Sequence, residues 1–383
     1  MIENEFELLI GGDFYLEENY IKPEIFSKEI ISLFQKSNFN IVNLESPITE
    51  VGNNLALSKT GPHLKASPKT LFPALKQLDI NLLTLANNHI KDYGNVGLKE
   101  TFENCKNQSF QYVGAGMNLK EAQKPFVIEV HKKKIAILNF AENEWASAGS
   151  DQPGANPLDV IDNVKQIQAA KKSNDIVMVI IHGGHEYYNL PSPRMIKQYR
   201  FYAENGASVI IGHHPHCISG YEVYQNVPIF YSLGNFLFTI KSKHKEWYTG
   251  LLLKLKIGSD LKIDWELIPV QQNVDNFSVT LLEGLEKQNV LNEVEKYSRI
   301  ITNEESLLNS WNQFLKKRSR AYINAFSPSN IFGSKYINAG LRLTGLERVF
   351  LKKKQYKKIL NLIRCEAHAD ISKEVIKQFL KIK

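Results

Sequence analysis

Residues 209–220 read VIIGHHPHCISG, an apolar run that ends in three histidines and a proline. Taken alone, the run suits either a buried strand capped by packed imidazoles or a strand end that presents His213, His214 and His216 to a metal. Pro215 stiffens the backbone between His214 and His216 and forbids ordinary continuation of a sheet. Both rings therefore reach one site only through a turn or irregular loop. The way to choose between the readings is to ask whether other apolar runs end in ligands too.

Four do. LLIGGDF ends just after Asp13, IVNLESP presents Asn43 and Glu45, LLTLANNHIKDYG presents Asn88, His89 and Asp92, and VMVIIHGGHE presents His182, His185 and Glu186. In layered α/β folds, ligands gather beyond the carboxyl ends of strands, where loops vary without disturbing the sheet. Five separated segments thus have a route into one cleft. Carboxylates, an asparagine amide and imidazoles form an oxygen and nitrogen set without thiolate, suited to Mn²⁺, Zn²⁺ or Fe²⁺, as one ion or two. Glu45 is the candidate to bridge a pair. Asp92 can accept a proton from a histidine and orient it; its other reading is an Asx turn before Gly94. Asn88 and His89 are adjacent and converge only if the chain turns tightly there.

The strand-like runs FELLIGG, FNIVNLE, INLLTLAN, KIAILNF, DIVMVIIH and ASVIIGH alternate with amphipathic stretches at 95–106, 157–173 and 193–204. That alternation predicts an α/β core with helices over strands buried on both faces. KPFVIEVHKKKIAILNF reads as two strands joined by a basic hairpin, so mixed sheets are expected. VPIFYSLGNFLF, TGLLLKLKI and KIDWELIPV supply three more strands, the last two joined at GSD. From residue 271 the pattern becomes polar and helical, predicting a core over 1–270 and a mainly helical region over 271–383.

Charge divides at the same place. Residues 271–383 carry 20 Lys and Arg against 11 Asp and Glu, a net of +9, whereas the whole chain is +7, so residues 1–270 sum to −2. RVFLKKKQYKKILNLIR is the sharpest basic stretch. A basic helix of this kind can bind nucleic acid, anionic lipid or an acidic polymer, or can simply present a solvated face. No zinc-finger pattern or RNA-binding aromatic motif accompanies it, so no specific nucleic acid is expected. Closing one side of the cleft, self-association and recruitment of an acidic partner are the roles open to this region. The three cysteines, Cys105, Cys217 and Cys365, are too few and too scattered for a disulfide framework. MIENEFELLIGGDF carries acids where an export signal carries positive charge, and no run has the roughly 18 to 20 apolar residues of a membrane span. A cytoplasmic protein is expected.

In order, GDF, IVNLESPI, TLANNHIKDYG, VIIHGGHEYY and NGASVIIGHHPHCISGYEVYQNVPIFYSLGNFLF resemble the bacterial capsule-synthesis CapA, or poly-γ-glutamate capsule protein, family over about residues 6–240. That family is similar to the calcineurin-like metallophosphoesterases. The resemblance implies a layered α/β sandwich with mixed sheets and a divalent metal site. It implies Asp13 as the carboxylate of the first strand, Glu45 as the bridging carboxylate, and Asn88 as an amide that touches metal and phosphate. It implies His89 as a proton donor to the leaving oxygen, and His182, His214 and His216 as metal histidines. Tyr15 stands where many metallophosphoesterases have a ligand histidine, and Gly183 where the family usually has tryptophan.

Clustered cations and an acid suit hydrolysis at phosphorus. The leading expectation is a metal-dependent phosphoesterase in capsule or cell-surface polymer metabolism, with His89, Asn88, Asp92 and Glu186 as catalytic candidates and an anionic phosphate-containing substrate. A second is a non-catalytic binding or assembly component for an acidic capsule polymer. A third is hydrolysis or transfer at γ-glutamyl amide bonds. Asn235, in YSLGNF, reads as support beneath the site.

Overall fold

The structure is a computed structural model that describes residues 5–20, 24–59, 61–130, 132–325 and 333–346, with residues 318–325 described only as backbone. The basic stretch 348–364 and Cys365 lie outside the described residues. In chain order the first strands are β1 (Phe6–Tyr15), β2 (Phe39–Leu44), β3 (Leu82–Thr84), β4 (Gln111–Val113), β5 (Ala115–Gly116), β6 (Phe126–Val130), β7 (Lys133–Ala141) and β8 (Gly154–Ala155). They are followed by β9 (Ile176–His182), β10 (Val209–His213), β11 (Tyr221–Tyr224), β12 (Val227–Phe230), β13 (Asn235–Phe238), β14 (Thr249–Ile257), β15 (Ile263–Gln272) and β16 (Val279–Leu281). The described helices are α1 (Lys28–Lys36), α2 (Pro68–Gln77), α3 (Gly94–Asn107), α4 (Leu119–Ala122), α5 (Val160–Ser173), α6 (Pro193–Glu204), α7 (Gly284–Thr302), α8 (Glu304–Ala325) and α9 (Lys335–Leu343).

Two mixed sheets lie face to face. One runs β16-β15-β14-β1-β2-β3-β4, with β13 also on β1; the other runs β11-β12-β10-β9-β7-β6. Strand alternation sorts the side chains into layers. Leu8, Ile10 and Ile41 from the first sheet meet Ile176, Met178, Ile180, Val209 and Ile211 from the second in the central core. The intervening Leu9 and Val42 face outward onto α1 and α2 through Phe34, Leu71 and Leu75. Val177, Val179, Ile181 and Ile210 face the other way, onto α5 and α6 through Ile167, Tyr199 and Tyr202. This is the expected layered α/β sandwich with mixed sheets, and it explains why β9 and β10 are apolar along their whole length.

Local signals place the helices. Ser27, Ser67 and Ser192 each cap a helix with a hydroxyl that accepts a backbone N–H, and Pro68 and Pro193 occupy first-turn positions where no donor is needed. The basic hairpin is present, with β6 and β7 antiparallel and Val130 opposite Lys133. VPIFYSLGNFLF is not one strand. Its first half, β12, pairs with β10 and β11, and its second half, β13, pairs with β1 of the other sheet. Gly234, at φ +67°, makes the crossing in a conformation that side chains resist.

The chain divides into two compact units, residues 1–309 and 310–383. The sheet continues past the change of composition at 271 through β15 and β16, and α7 packs on β11 and β15. Among the described residues, no helix is long and apolar enough to cross a membrane.

Candidate metal centre

The strand register brings the ligand-bearing ends together. In the first sheet Asp13 is level with Asn43 and with Asn235, and Asn43 is level with Thr84. In the second sheet His182 is level with His213. Glu45 is the first residue after β2, and Asn87, Asn88 and His89 occupy the turn beyond β3. The β1 register slips at Asp13, and Gly12 lets β1 pass so close to the 234 turn that a Cβ there would lie 2.0 Å from the Gly234 carbonyl oxygen.

Beyond β10 the backbone takes the expected irregular course. His214 and His216 have φ of +96° and +54° on either side of Pro215, a conformation uncommon for residues with side chains. It turns both rings inward, and the His214 N–H donates to Asp13 Oδ2 at 3.1 Å.

Two groups of donors result. Glu45, His182 and His214 form one; Asp13, Glu45 and His216 form the other, and all are buried. In the first, His182 Nε2 lies 3.0 Å from His214 Nδ1 and 3.0 Å from Asn88 Oδ1. A single proton can bridge only one of these pairs, so three lone-pair donors converge with too few hydrogens among them. In the second, His216 Nδ1 lies 2.9 Å from Asn235 Oδ1 and 3.5 Å from Asp13 Oδ2. The Asn235 amide is oriented by its own donation to the Trp247 carbonyl at 3.0 Å, so its oxygen accepts from His216. The support role expected of Asn235 is thus visible as a contact to a candidate ligand.

Glu45 is common to both groups. Its Oε1 lies 3.6 Å from His182 Nε2, 3.7 Å from His216 Nε2 and 3.9 Å from His89 Nε2. Both of its carboxylate oxygens are buried without a hydrogen-bond partner among the described residues. A buried carboxylate without partners is costly. A divalent cation of the kind that accepts mixed oxygen and nitrogen ligands fits this donor set.

The proton affinities follow from the same crowding. Burial pushes Glu45 well above the usual carboxylate range, with His216 opposing and Asp13 adding to the shift. Burial would also raise Asp13, but a hydrogen bond from His216 and the charge of His182 hold it well below that range. Burial and the neighbouring His216 push His214 down to about 4, whereas His216, despite its own burial, is raised to about 10 by Glu45 and Asp13. Burial and the adjacent His214 drive His182 well below the imidazole range. Positive charge is drawn to the space between Asp13 and Glu45.

His89 stands beside the Glu45 edge of this cluster. Burial lowers its proton affinity, and its Nδ1 lies 2.7 Å from Asp92 Oδ2. Asp92 Oδ2 also accepts the Leu64 N–H at 2.7 Å. Glu186 is exposed on the segment after β9 and belongs to neither donor group, although its charge contributes to the shifts of Glu45 and His214. Arg194 pairs with Glu142 and belongs to neither donor group. His213 is buried with Nδ1 3.7 Å from Asp13 Oδ1, outside both groups. Tyr15 is buried against Phe238, with ring centroids 5.2 Å apart, and contributes to neither.

Two residues with no sequence signal join the site. Glu144, just past β7, accepts a hydrogen bond from Asn88 and lies 4.0 Å from His214 Nε2; burial raises its proton affinity. Lys59, in the segment between β2 and α2, is buried with its ammonium against Asp92.

A sequence model of the bacterial capsule synthesis protein PGA_cap family matches residues 8–240. The chain belongs to that family. Among curated relatives, the capsule biosynthesis protein CapA of Bacillus anthracis is 35% identical over 218 residues, 55% of this chain and 53% of the relative. The PGA biosynthesis protein CapA of Bacillus subtilis is 37% identical over 209 residues, 54% of each chain. The chain therefore spans about half the length of the curated relatives it matches. Among solved structures, a 5'-nucleotidase from Candida albicans aligns at a TM-score of 0.42 and 12% identity, over 84% of this chain and 59% of that one. The PGA_cap match covers the segments that carry every candidate ligand.

Proposed function

We propose that the chain is a metal-dependent hydrolase of phosphoesters that serves capsule or cell-surface polymer metabolism. The observation that carries this reading is Glu45, a buried carboxylate whose two unpartnered oxygens are shared by two donor groups. Glu45, Asn88, His182 and His214 would hold one divalent ion, and Asp13, Glu45 and His216 a second. When bound, such ions supply Lewis acidity and positive charge toward the oxygens of an anionic substrate.

The chain's own residues supply the rest. Asn88 keeps its carbonyl oxygen in the cluster because its amide nitrogen donates to Glu144. His89 faces the Glu45 edge through Nε2 while Asp92 accepts the Nδ1 proton on the far side of its ring, so the ring, once it carries a second proton on Nε2, can hand that proton to a leaving oxygen. Glu186, which is exposed, would act on groups that enter from solvent. The family and the names of the relatives support a polymer-linked role, and the cytoplasm is the compartment we assign.

Metal content per folded chain tests the centre, comparing the unchanged protein with a His214→Ala/His216→Ala variant after identical Mn²⁺ or Zn²⁺ loading and desalting. Near-stoichiometric metal that is lost in the variant is expected; equal metal in both overturns the ligand set. Turnover of phosphodiesters, phosphomonoesters and γ-glutamyl oligomers under the same metal conditions then separates phosphorus from amide chemistry. Activity on the γ-glutamyl oligomers alone would replace the phosphoesterase reading with an amide one, and activity on none would favour a binding or assembly role.

A further inference from the structure

The side of His89 that faces away from Glu45 carries more charge than a simple tether needs. Lys59 lies in the irregular segment between β2 and α2, with its side chain only 2% exposed. Its ammonium contacts Asp92 Oδ1 and lies 3.1 Å from His89 Nδ1. The Asp92 side chain is 1% exposed, and its Oδ1 has no aligned hydrogen bond, so the Lys59 contact there acts chiefly through charge.

Burying an ammonium costs several kcal/mol unless a partner compensates. The segment is already fastened to the same residue without it: the Leu57 N–H donates to the Asp92 carbonyl at 2.8 Å and the Leu64 N–H to Asp92 Oδ2 at 2.7 Å. An apolar side chain of similar length would pin the loop as well, without desolvating a charge. The ammonium instead bears on how Asp92 treats His89.

The hydrogens can be counted. An ammonium only donates and a carboxylate only accepts. His89 Nδ1 and Asp92 Oδ2 at 2.7 Å need a proton between them, since two lone pairs at that distance repel. A ring that carries that proton on Nδ1 has nothing there for Lys59 to donate to, which leaves the Lys59 hydrogens for Asp92. We propose that Lys59 is a positioning residue: by holding the Asp92 carboxylate it keeps the His89 imidazole with its Nδ1–H on Asp92 and its Nε2 toward Glu45. The inference rests on the reading of His89 as the proton-transferring group, and deepens it by naming what sets the ring.

The test is nitrogen NMR of full-length, Zn²⁺-loaded protein with ¹⁵N-labelled histidine, the His89 signals being assigned by their loss in His89→Gln. The unchanged protein is expected to show His89 protonated at Nδ1. Lys59→Met is expected to shift the ring toward the Nε2-protonated tautomer, and to lower kcat on bis(4-nitrophenyl) phosphate roughly 10- to 100-fold with KM and metal content unchanged. In Lys59→Ala, added ethylammonium is expected to restore both the spectrum and kcat. Should Lys59→Met fail to fold, Lys59→Gln keeps the bulk and a donor for Asp92 but no charge, and the same spectrum decides. A His89 spectrum that is identical with and without the Lys59 charge overturns the proposal, as does an unchanged protein protonated only at Nε2. If the unchanged protein lacks phosphodiesterase activity, the phosphoesterase reading falls while the spectrum still decides the role of Lys59.

Discussion

Replacing Glu45 with glutamine should make the metal-free protein more stable and the metal-loaded protein no better than the metal-free one. Glutamine keeps the shape of the side chain, removes the ionisable group, and offers both a donor and an acceptor to His182 Nε2 and His216 Nε2, which lie 3.6 and 3.7 Å from Glu45 Oε1. In the native chain those carboxylate oxygens are buried without hydrogen bonds. Leaving a buried acceptor unsatisfied costs roughly 1–3 kcal/mol. For a unit of 309 residues, a kcal/mol corresponds to about 2 °C in melting temperature, so Glu45→Gln should melt about 2–6 °C higher in chelator. With metal the order reverses. An ion at 100 times its dissociation constant stabilises a protein by about 2.7 kcal/mol, some 5 °C here, and a variant that has lost the shared carboxylate should forfeit most of that rise. Thermal melts of both proteins, in chelator and across a Mn²⁺ or Zn²⁺ titration, read both halves of the argument. A variant that melts lower than the native chain in chelator, yet keeps the full metal-induced rise, would refute the assignment of Glu45 as a shared ligand held at a cost to stability.

The two donor groups are unequal, because Asn88 offers a fourth donor atom beside Glu45, His182 and His214 while Tyr15 offers none beside Asp13, Glu45 and His216. Calorimetric titration should therefore show two separated steps; His216→Ala should remove the weaker step and His214→Ala the tighter one, and a single step lost equally in both would count against two groups. Gly234→Ala forces a Cβ to within 3.0 Å of the Thr249 carbonyl oxygen at φ +67°, which should cost about 1–3 kcal/mol in urea unfolding. Because the Gly234 carbonyl accepts the Asp13 N–H, metal affinity should fall as well. Away from the site, Arg200 clasps Glu222 with bonds of 2.9 and 2.6 Å, and Glu222 is buried. Arg200→Met leaves that carboxylate with the Tyr231 hydroxyl alone and should destabilise by about 2–3 kcal/mol, less than a fully buried pair because the arginine is a third exposed; Arg200→Met/Glu222→Gln should recover most of the loss in urea melts.

What the sequence could disclose follows from which forces are local. β9 and β10 were legible because strands covered on both faces must be apolar at every position, and the α6 boundary because a serine cap followed by proline is a local device. The split of VPIFYSLGNFLF was not legible. Both halves are apolar, and only the approach of the Gly234 turn to β1 decides that the chain changes sheets there. The extent of the first compact unit was hidden for a similar reason: α7 is polar enough to resemble the tail, and what joins it to the sheets is the face carrying Val294, Ser298 and Ile301.

The site divides along the same line. The candidate ligands at strand ends were readable because each follows an apolar run, so position and chemistry coincide in the sequence. Lys59 and Glu144 carry no such mark. Each sits in an irregular segment, and each matters only through a neighbour distant in sequence, Lys59 through Asp92 and Glu144 through Asn88 and His214. A ligand must reach the metal and so inherits the regularity of the strand that delivers it. A residue that orients a ligand need only reach the ligand, from whichever segment passes nearby, and its place is set by tertiary packing. The residues hardest to read from this chain are therefore those that fix proton positions and amide orientations around the centre, and mutating them should alter affinity and rate while leaving the ligand list intact.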